Sequence, residues 1–177
     1  MTGAKEYGKA LFSLTEELGI SEEALGDLRD AVAALKENPG YITLLDTPAL
    51  PSGEKVALSD EAFASLLPTV RDLIAILCEK HAVYLLPAVA QAFREEYDEA
   101  RGILRAEAIT ARPMTDAQRK SMSEKLARMT GKKVVLQNRI DPKIIGGVTL
   151  RYAGIQLDDS LRSRLDRLAE SLQNAIL

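Results

Sequence analysis

The sequence has no tryptophan, one cysteine, one histidine and only 5% aromatic residues. Large ligand pockets and base-stacking platforms lean on aromatic rings, so the composition argues against both. A lone Cys78 rules out an internal disulfide and suits a reducing compartment. A lone His81 excludes any HExxH helix or two-histidine metal site. The best apolar run, Leu73 to Cys78, falls far short of the roughly 20 residues needed to cross a bilayer. The first residues, MTGAKEYGKALF, lack the apolar stretch and small-residue cleavage site of a signal peptide. The chain is therefore expected to stay in the compartment where it is made.

Catalytic groupings are equally scarce. No GxxxxGK loop followed by Ser or Thr is present, and Gly146-Gly147, the only double glycine, lacks the spacing of a dinucleotide-binding turn. Cys78 and His81 stand about one helical turn apart, the spacing of a nucleophilic pair, but no third orienting group is evident. The plainer reading is a buried thiol beside a helix-end histidine. The carboxylates are plentiful but scattered over helix faces. Neither catalytic residues, nor a cofactor, nor a metal site is expected.

What is present is the material of an ordinary folded protein, 46% hydrophobic and 28% charged over 177 residues. The net charge of −3 hides an asymmetry. Residues 1–100 hold 8 Lys/Arg against 18 Asp/Glu, a balance of −10, and residues 101–177 hold 15 against 8, a balance of +7. So abrupt a change marks a domain boundary, placed at 102/103, and suggests that the two halves face different partners. The simpler alternative is two solvated surfaces, each with its own bias.

The acidic half, 1–102, reads as an antiparallel bundle of five or six helices. Tyr7, Leu11, Leu14 and Leu18 make one apolar stripe, stopped by Gly19. Ser21, as N-cap, opens a second helix striped by Leu25, Leu28, Val32 and Leu35 and broken at Asn38-Pro39-Gly40. A short apolar piece, 41–45, and a short helix, 52–58, follow. A broad apolar face then runs from Phe63 to Leu77, on a helix that Pro68 requires to start near Leu66 or Leu67. A last helix covers about 85–101, with Val89, Ala92, Phe93 and Tyr97 inward, and ends at Gly102.

The basic half, 103–177, changes period and reads as a small α/β domain. Leu104, Ala106 and Ala108 alternate as in a strand. Thr115 and Gln118 form a capping box for a helix carrying Met122, Leu126 and Met129, closed by Gly131. Strands are expected over 133–140, with Val134, Leu136 and Ile140 on one side, and from Val148 to Tyr152. A turn at Ala153-Gly154 returns the chain through Ile155–Leu157. Asp158 then caps a helix with Leu161, Leu165, Leu168, Leu172 and Ile176 in one seam. Such a unit, of about 75 residues, is marginal alone and gains from docking on another chain.

Two functional readings compete. Arg112, Arg119, Lys120, Lys125, Arg128, Lys132, Lys133 and Arg139 could form a phosphate-contacting patch, making the basic half a nucleic-acid-binding module. No recognition helix or aromatic RNA-binding motif accompanies them, and the chain is acidic overall. The other reading comes from the stretch between Arg139 and Leu172. Its Ile140-Asp141, Gly146-Gly147, Val148, Leu150, Arg151, Leu157-Asp158, Ser160, Leu161, Leu165 and Leu168 stand in fixed register. This resembles the signature of the delta, or oligomycin-sensitivity-conferring, subunits of F-type ATP synthases. Tyr7 to Phe12 is similar to that family's first helix, and residues 85–102 to its helix before the domain junction. The chain departs from the pattern at Ala153-Gly154, at Asp159, and at Gly8. This last glycine replaces a helical alanine and costs up to about 1 kcal/mol in helix propensity.

The resemblance implies a non-catalytic stator subunit of the proton-transporting synthase, at the cytoplasmic face of a bacterial plasma membrane. The bundle would sit on the catalytic head, holding the N-terminal helix of an alpha subunit between its first and fifth helices. The small domain would engage the peripheral-stalk b subunits. Neither nucleotide nor nucleic acid would bind directly. On this chain, Tyr7, Ala10, Leu11 and Leu14 would form one side of the groove, with Leu73 and Leu77 on the other. The apolar face around 66–77 is equally open to the reading that it is all core.

Overall fold

The computed structural model describes residues 2–144, 146–152 and 155–158. It is mainly helical, with one small four-stranded sheet. The chain divides into two compact units, Met1–Tyr97 and Asp98–Leu177. The last turn of the final bundle helix belongs to the second unit. There Asp98 accepts two hydrogen bonds from the Arg105 guanidinium, at 2.5 and 2.9 Å.

The first unit holds six helices: α1 (Thr2–Glu17), α2 (Ser21–Glu37), α3 (Pro39–Asp46), α4 (Ser52–Ala62), α5 (Pro68–Glu79) and α6 (Leu86–Ala100). A 3₁₀ turn, Val83–Leu85, leads into α6. Their core joins Leu11, Leu28, Leu35, Leu45, Phe63, Ile74, Leu77, Leu86 and Phe93, all buried.

Several helix starts are made by long-range contacts. Ser21 is the first residue of α2, not its cap; Ile20 takes that place, and the Ser21 hydroxyl donates to Glu16 at 2.6 Å. Pro39 ends α2 and also begins α3, since a missing N–H and a fixed φ suit a first helical turn. Pro68 does the same for α5, after an extended Leu67 (φ −54°, ψ 141°). Neither Leu67 nor Ala82 has a side chain able to cap a helix. Asp27 of α2 accepts from the Leu67 amide at 2.6 Å. Asp46 of α3 accepts from the Val83 and Tyr84 amides at 2.7 and 3.1 Å. A carboxylate at a helix start meets unpaired N–H groups and the positive end of the helix dipole together.

The helix α1 is rotated relative to its expected stripe. Ala4, Gly8, Leu11 and Thr15 are buried, whereas Leu14 is 45% and Leu18 56% exposed. Gly8 explains the turn. A Cβ there would stand 2.7 Å from the Val89 carbonyl oxygen and the Ala92 Cβ, and 2.8 Å from the Phe93 nitrogen. The two backbones meet too closely for any side chain, and Phe12 packs edge-on against Phe93 beside the crossing. The propensity that glycine forfeits is spent on this approach.

The second unit contains β1 (Ile103–Thr110), α7 (Asp116–Thr130), β2 (Lys133–Ile140), β3 (Val148–Tyr152) and β4 (Ile155–Asp158). The sheet order is β2-β1-β3-β4. β1 and β2 run parallel, joined through α7, and the other neighbours are antiparallel. The capping box at Thr115 and Gln118 is present, and Gly131 closes α7 with φ 69°. Leu126 packs on Ala106, Ala108 and Leu150. Met129, expected on that face, is 74% exposed, and Ile140 is 50% exposed. The turn at Ala153-Gly154 and the helix led by Asp158, with Ser160, Leu161 and Leu165, lie outside the described residues.

Candidate interaction surfaces

The predicted groove residues separate into two sets. Leu11 and Leu73 are 6% exposed and Leu77 is fully buried, so these three are core. Tyr7 is half-buried and Ala10 is exposed, in line with exposed Leu14 and with Leu18 just past the helix end. At 100° per residue these four form a strip centred roughly 85° from the buried face of α1. Phe12, on the opposite flank, is the side that meets α6. Helix α1 also packs beside α5. On α5, Cys78 marks the flank toward α4, and exposed Ile76 lies roughly 160° around the helix from it. Leu18 and Ile76 are thus surface positions absent from the predicted set. Ile76 falls one step off the apolar periodicity, and that offset was the available signal.

Cys78 and His81 turn to different partners on α4, Ser59 and Lys55. Burial pushes the Cys78 thiol above its ordinary value, reinforced by nearby Asp46 and Asp60 and opposed by a Ser59 hydrogen bond and by Lys55. His81 turns instead to Lys55 of α4, which is entirely buried and donates from Nζ to His81 Nδ1 at 2.7 Å. His81 also closes α5 in a left-handed conformation (φ 51°). The Ala82 amide donates to the Leu77 carbonyl at 2.9 Å and the His81 amide to the Cys78 carbonyl at 3.2 Å. Glycine is the usual residue at this position of such a cap. Histidine here accepts backbone strain and gives a buried ammonium its acceptor, which otherwise would cost several kcal/mol. Lys55 was not singled out in the sequence, because a lone lysine next to Glu54 reads as solvated.

In the second unit, the signature residues have structural partners. The Asp141 amide donates to the Thr110 carbonyl at 2.9 Å, and its carboxylate accepts from the Lys143 amide at 2.9 Å, turning the chain away from β2. Gly147 has φ 87°, a backbone conformation that side chains resist, immediately before β3. Arg151 donates to Gln156 at 2.8 Å and lies 4.0 Å from Glu107, whose other oxygen is 3.4 Å from Arg139. Asp158 ends β4 opposite Thr149. Of the basic residues considered for nucleic acid, Arg119 pairs with Asp116 and Arg139 with Glu107.

An open cleft of about 820 Å³ lies between the β1–α7 loop, one flank of α7 and the Gly146-Gly147 bend. Its loop is fixed by Asn138, which donates to the Ala108 carbonyl at 2.9 Å and Thr110 Oγ1 at 2.8 Å and accepts from the Met114 amide at 2.8 Å. Among the described residues, no cluster of three or more His, Cys, Asp or Glu could hold a metal ion. Nor is any described helix long and apolar enough to cross a membrane.

The fold is thus a helical unit followed by a small four-stranded mixed sheet. The sequence profile described as "ATP synthase delta (OSCP) subunit" matches residues 4–172, so the chain belongs to that family. It is 32% identical over 170 residues to the ATP synthase subunit delta of Geobacillus sp. (strain WCH70), covering 96% of each chain. It is 33% identical over 180 residues to that of Solidesulfovibrio magneticus, covering 98% of each. The fold matches a chain in a cryo-EM structure of the Toxoplasma gondii mitochondrial ATP synthase hexamer. That match has a TM-score of 0.73 and 23% identity over 96% of this chain and 97% of the other.

Proposed function

We propose that this subunit is the non-catalytic joint of the synthase stator, tying the catalytic head to the peripheral stalk. In this reading the first unit holds the amphipathic N-terminal helix of an alpha subunit, and the second unit engages the b subunits. The chain sits at the cytoplasmic face of a bacterial plasma membrane, attached through the complex. It contributes affinity and resistance to torque, while bond-making chemistry and proton movement belong to other subunits.

The supporting observation is the exposed strip Tyr7, Ala10, Leu14 and Leu18 on α1, beside α5 with its exposed Ile76. An amphipathic helix docks on such a face through apolar residues at i, i+3, i+4 and i+7. Leu11, Leu73 and Leu77 support the groove from beneath.

The test is a titration of an alpha-subunit N-terminal peptide into the full chain, followed by amide spectra. Amides along α1 and α5 should shift, and Leu14→Glu should weaken binding at least tenfold by placing a charge in the contact. Unchanged spectra at high peptide excess would remove the reading.

A further inference from the structure

We infer that the first unit carries a further docking groove, where the end of α2 meets α3 and α4, and that this groove seats a basic amphipathic helix of a partner protein. Tyr41 in its wall stands near Cys78, which marks the α4 flank of α5. The α1–α5 strip with Ile76 lies on the other side of that helix, so the two surfaces are separate.

A pocket of about 440 Å³ opens there, lined by Ala34, Asn38, Gly40, Tyr41, Ala62 and Phe63. Tyr41 and Phe63 back it as an edge-on ring pair, with centroids 6.5 Å apart. The Tyr41 hydroxyl donates to the Leu58 carbonyl at 2.8 Å, and the Asn38 side chain to the Ala34 carbonyl at 3.0 Å. The walls are therefore held in place before anything binds. A Cβ at Gly40 would meet nothing within 4 Å, so that wall faces open space. One turn on from Gly40, on the same side of α3, Leu44 is 40% exposed. One turn before Ala62, on the same side of α4, Leu58 is 37% exposed. Two such rows, joined by the Tyr41 hydrogen bond, form the kind of groove that takes the side chains of an added helix. Adjacent exposed apolar positions mark an interaction site more often than isolated ones.

The charges select the occupant. Burial raises the Tyr41 hydroxyl above its ordinary value, and nearby Cys78 and Glu61 add to the rise, which puts the Glu61 carboxylate beside the groove. On α2, Glu37 lies about 60° around the helix from Ala34, whereas Lys36 lies roughly 160° away. Glu37 and Glu61 are both exposed, and neither has an ion-pair partner among the described residues. No cation lines the pocket among the described residues. The two carboxylates thus flank an apolar groove from two walls, in a half whose charge balance is −10. A helix with an apolar face and lysines or arginines along both edges meets both features.

The test uses the full chain and a synthetic helix with leucines at i, i+3, i+4 and i+7 and lysines along both edges. The control peptide carries glutamates in place of the lysines. The lysine peptide should shift the amides of Asn38, Gly40 and Ala62, and bind on the order of tenfold more tightly than the control. Glu37→Lys with Glu61→Lys should weaken it on the order of tenfold to a hundredfold and flatten its salt dependence. Gly40→Trp, which fills the pocket from a position with open space, should also weaken it about tenfold, and it serves alone should the charge variant misfold. The chain has no other tryptophan, so a blue-shifted emission reports that the ring occupies the pocket. Both variants should keep the far-ultraviolet spectrum and the affinity for the alpha-subunit peptide. Wild-type affinity for the lysine peptide in a folded variant, shifts confined to α1 and α5, or no binding at all overturns the groove and leaves the proposed function standing. Concentration-dependent dimers abolished by Gly40→Trp would assign the pocket to a second copy of this chain and overturn the basic-helix reading.

Discussion

The two units reach order by different means. Among the described residues, the first gathers 17 buried apolar or cysteine side chains into one core, and the second gathers four. The first is a packing problem, in which six helices meet closely enough that one glycine and one buried lysine become decisive. The second is a hydrogen-bonding problem, in which a ladder, a capping box and side chains such as Asn138 and Asp141 set the geometry. The packed unit leaves apolar side chains exposed on a flank of α1, at Leu14, and on other helices, as at Leu44, Leu58 and Ile76. In the sheet unit, Ile155 and Leu157 of β4 are each about half exposed.

The largest expected effect tests whether packing rules the first unit. Helix propensity alone makes Gly8→Ala stabilising by about 1 kcal/mol. The 2.7 Å approach to α6 makes it destabilising instead, by about 1–3 kcal/mol as overpacking does. Chemical denaturation of the full chain, monitored at the helical signal, reads the sign directly. A stabilised variant would mean that the α1–α6 crossing gives way easily, and the contrast between the units would weaken.

The buried pair comes next. His81→Gly removes a left-handed histidine, a gain of about 1 kcal/mol, but leaves Lys55 without its acceptor, a loss of about 1–3 kcal/mol. Lys55→Met in the His81→Gly background should recover that loss. A double-mutant cycle from denaturation midpoints should therefore show coupling on the order of 1 kcal/mol or more. Additive effects would show that the 2.7 Å contact contributes nothing to the fold.

The smallest effect is a pH dependence confined to the first unit. Burial raises the Cys78 thiol above 9.0 and the Tyr41 hydroxyl above 10.0 in the folded state. A raised acid binds its proton more tightly when folded. Its contribution is complete below the unfolded value and is lost as pH rises through the folded one. Thermal melts should thus weaken above about pH 9, and Cys78→Ala should flatten the lower part of that decline. An unchanged alkaline slope in the variant would assign the decline to other groups.

Much of this architecture was legible in the sequence because it rests on local rules. The capping box at Thr115-Gln118, the stop at Gly131, the alternation of β1 and the proline-led start of α5 each follow from neighbouring residues. The misplacements have a common cause. Ser21 looked like a cap because serine is good at that position, yet Asp27 and Asp46 show caps arriving from other helices. Leu14 and Met129 fitted a helical period, but period fixes which residues share a face and leaves open how far that face is turned from the core.

The sequence by itself determined the class of each half, the change of charge between them and the family, through the register of residues 139–172 and the start of the first helix. Only the tertiary structure decided that Leu11, Leu73 and Leu77 are core while Ala10, Leu14 and Leu18 face outward. That choice depends on the rotation of α1, and the rotation depends on Gly8 meeting the backbone of α6, some 80 residues along the chain. A side chain's periodicity is a property of its own helix, whereas its exposure is a property of what the fold brings against it.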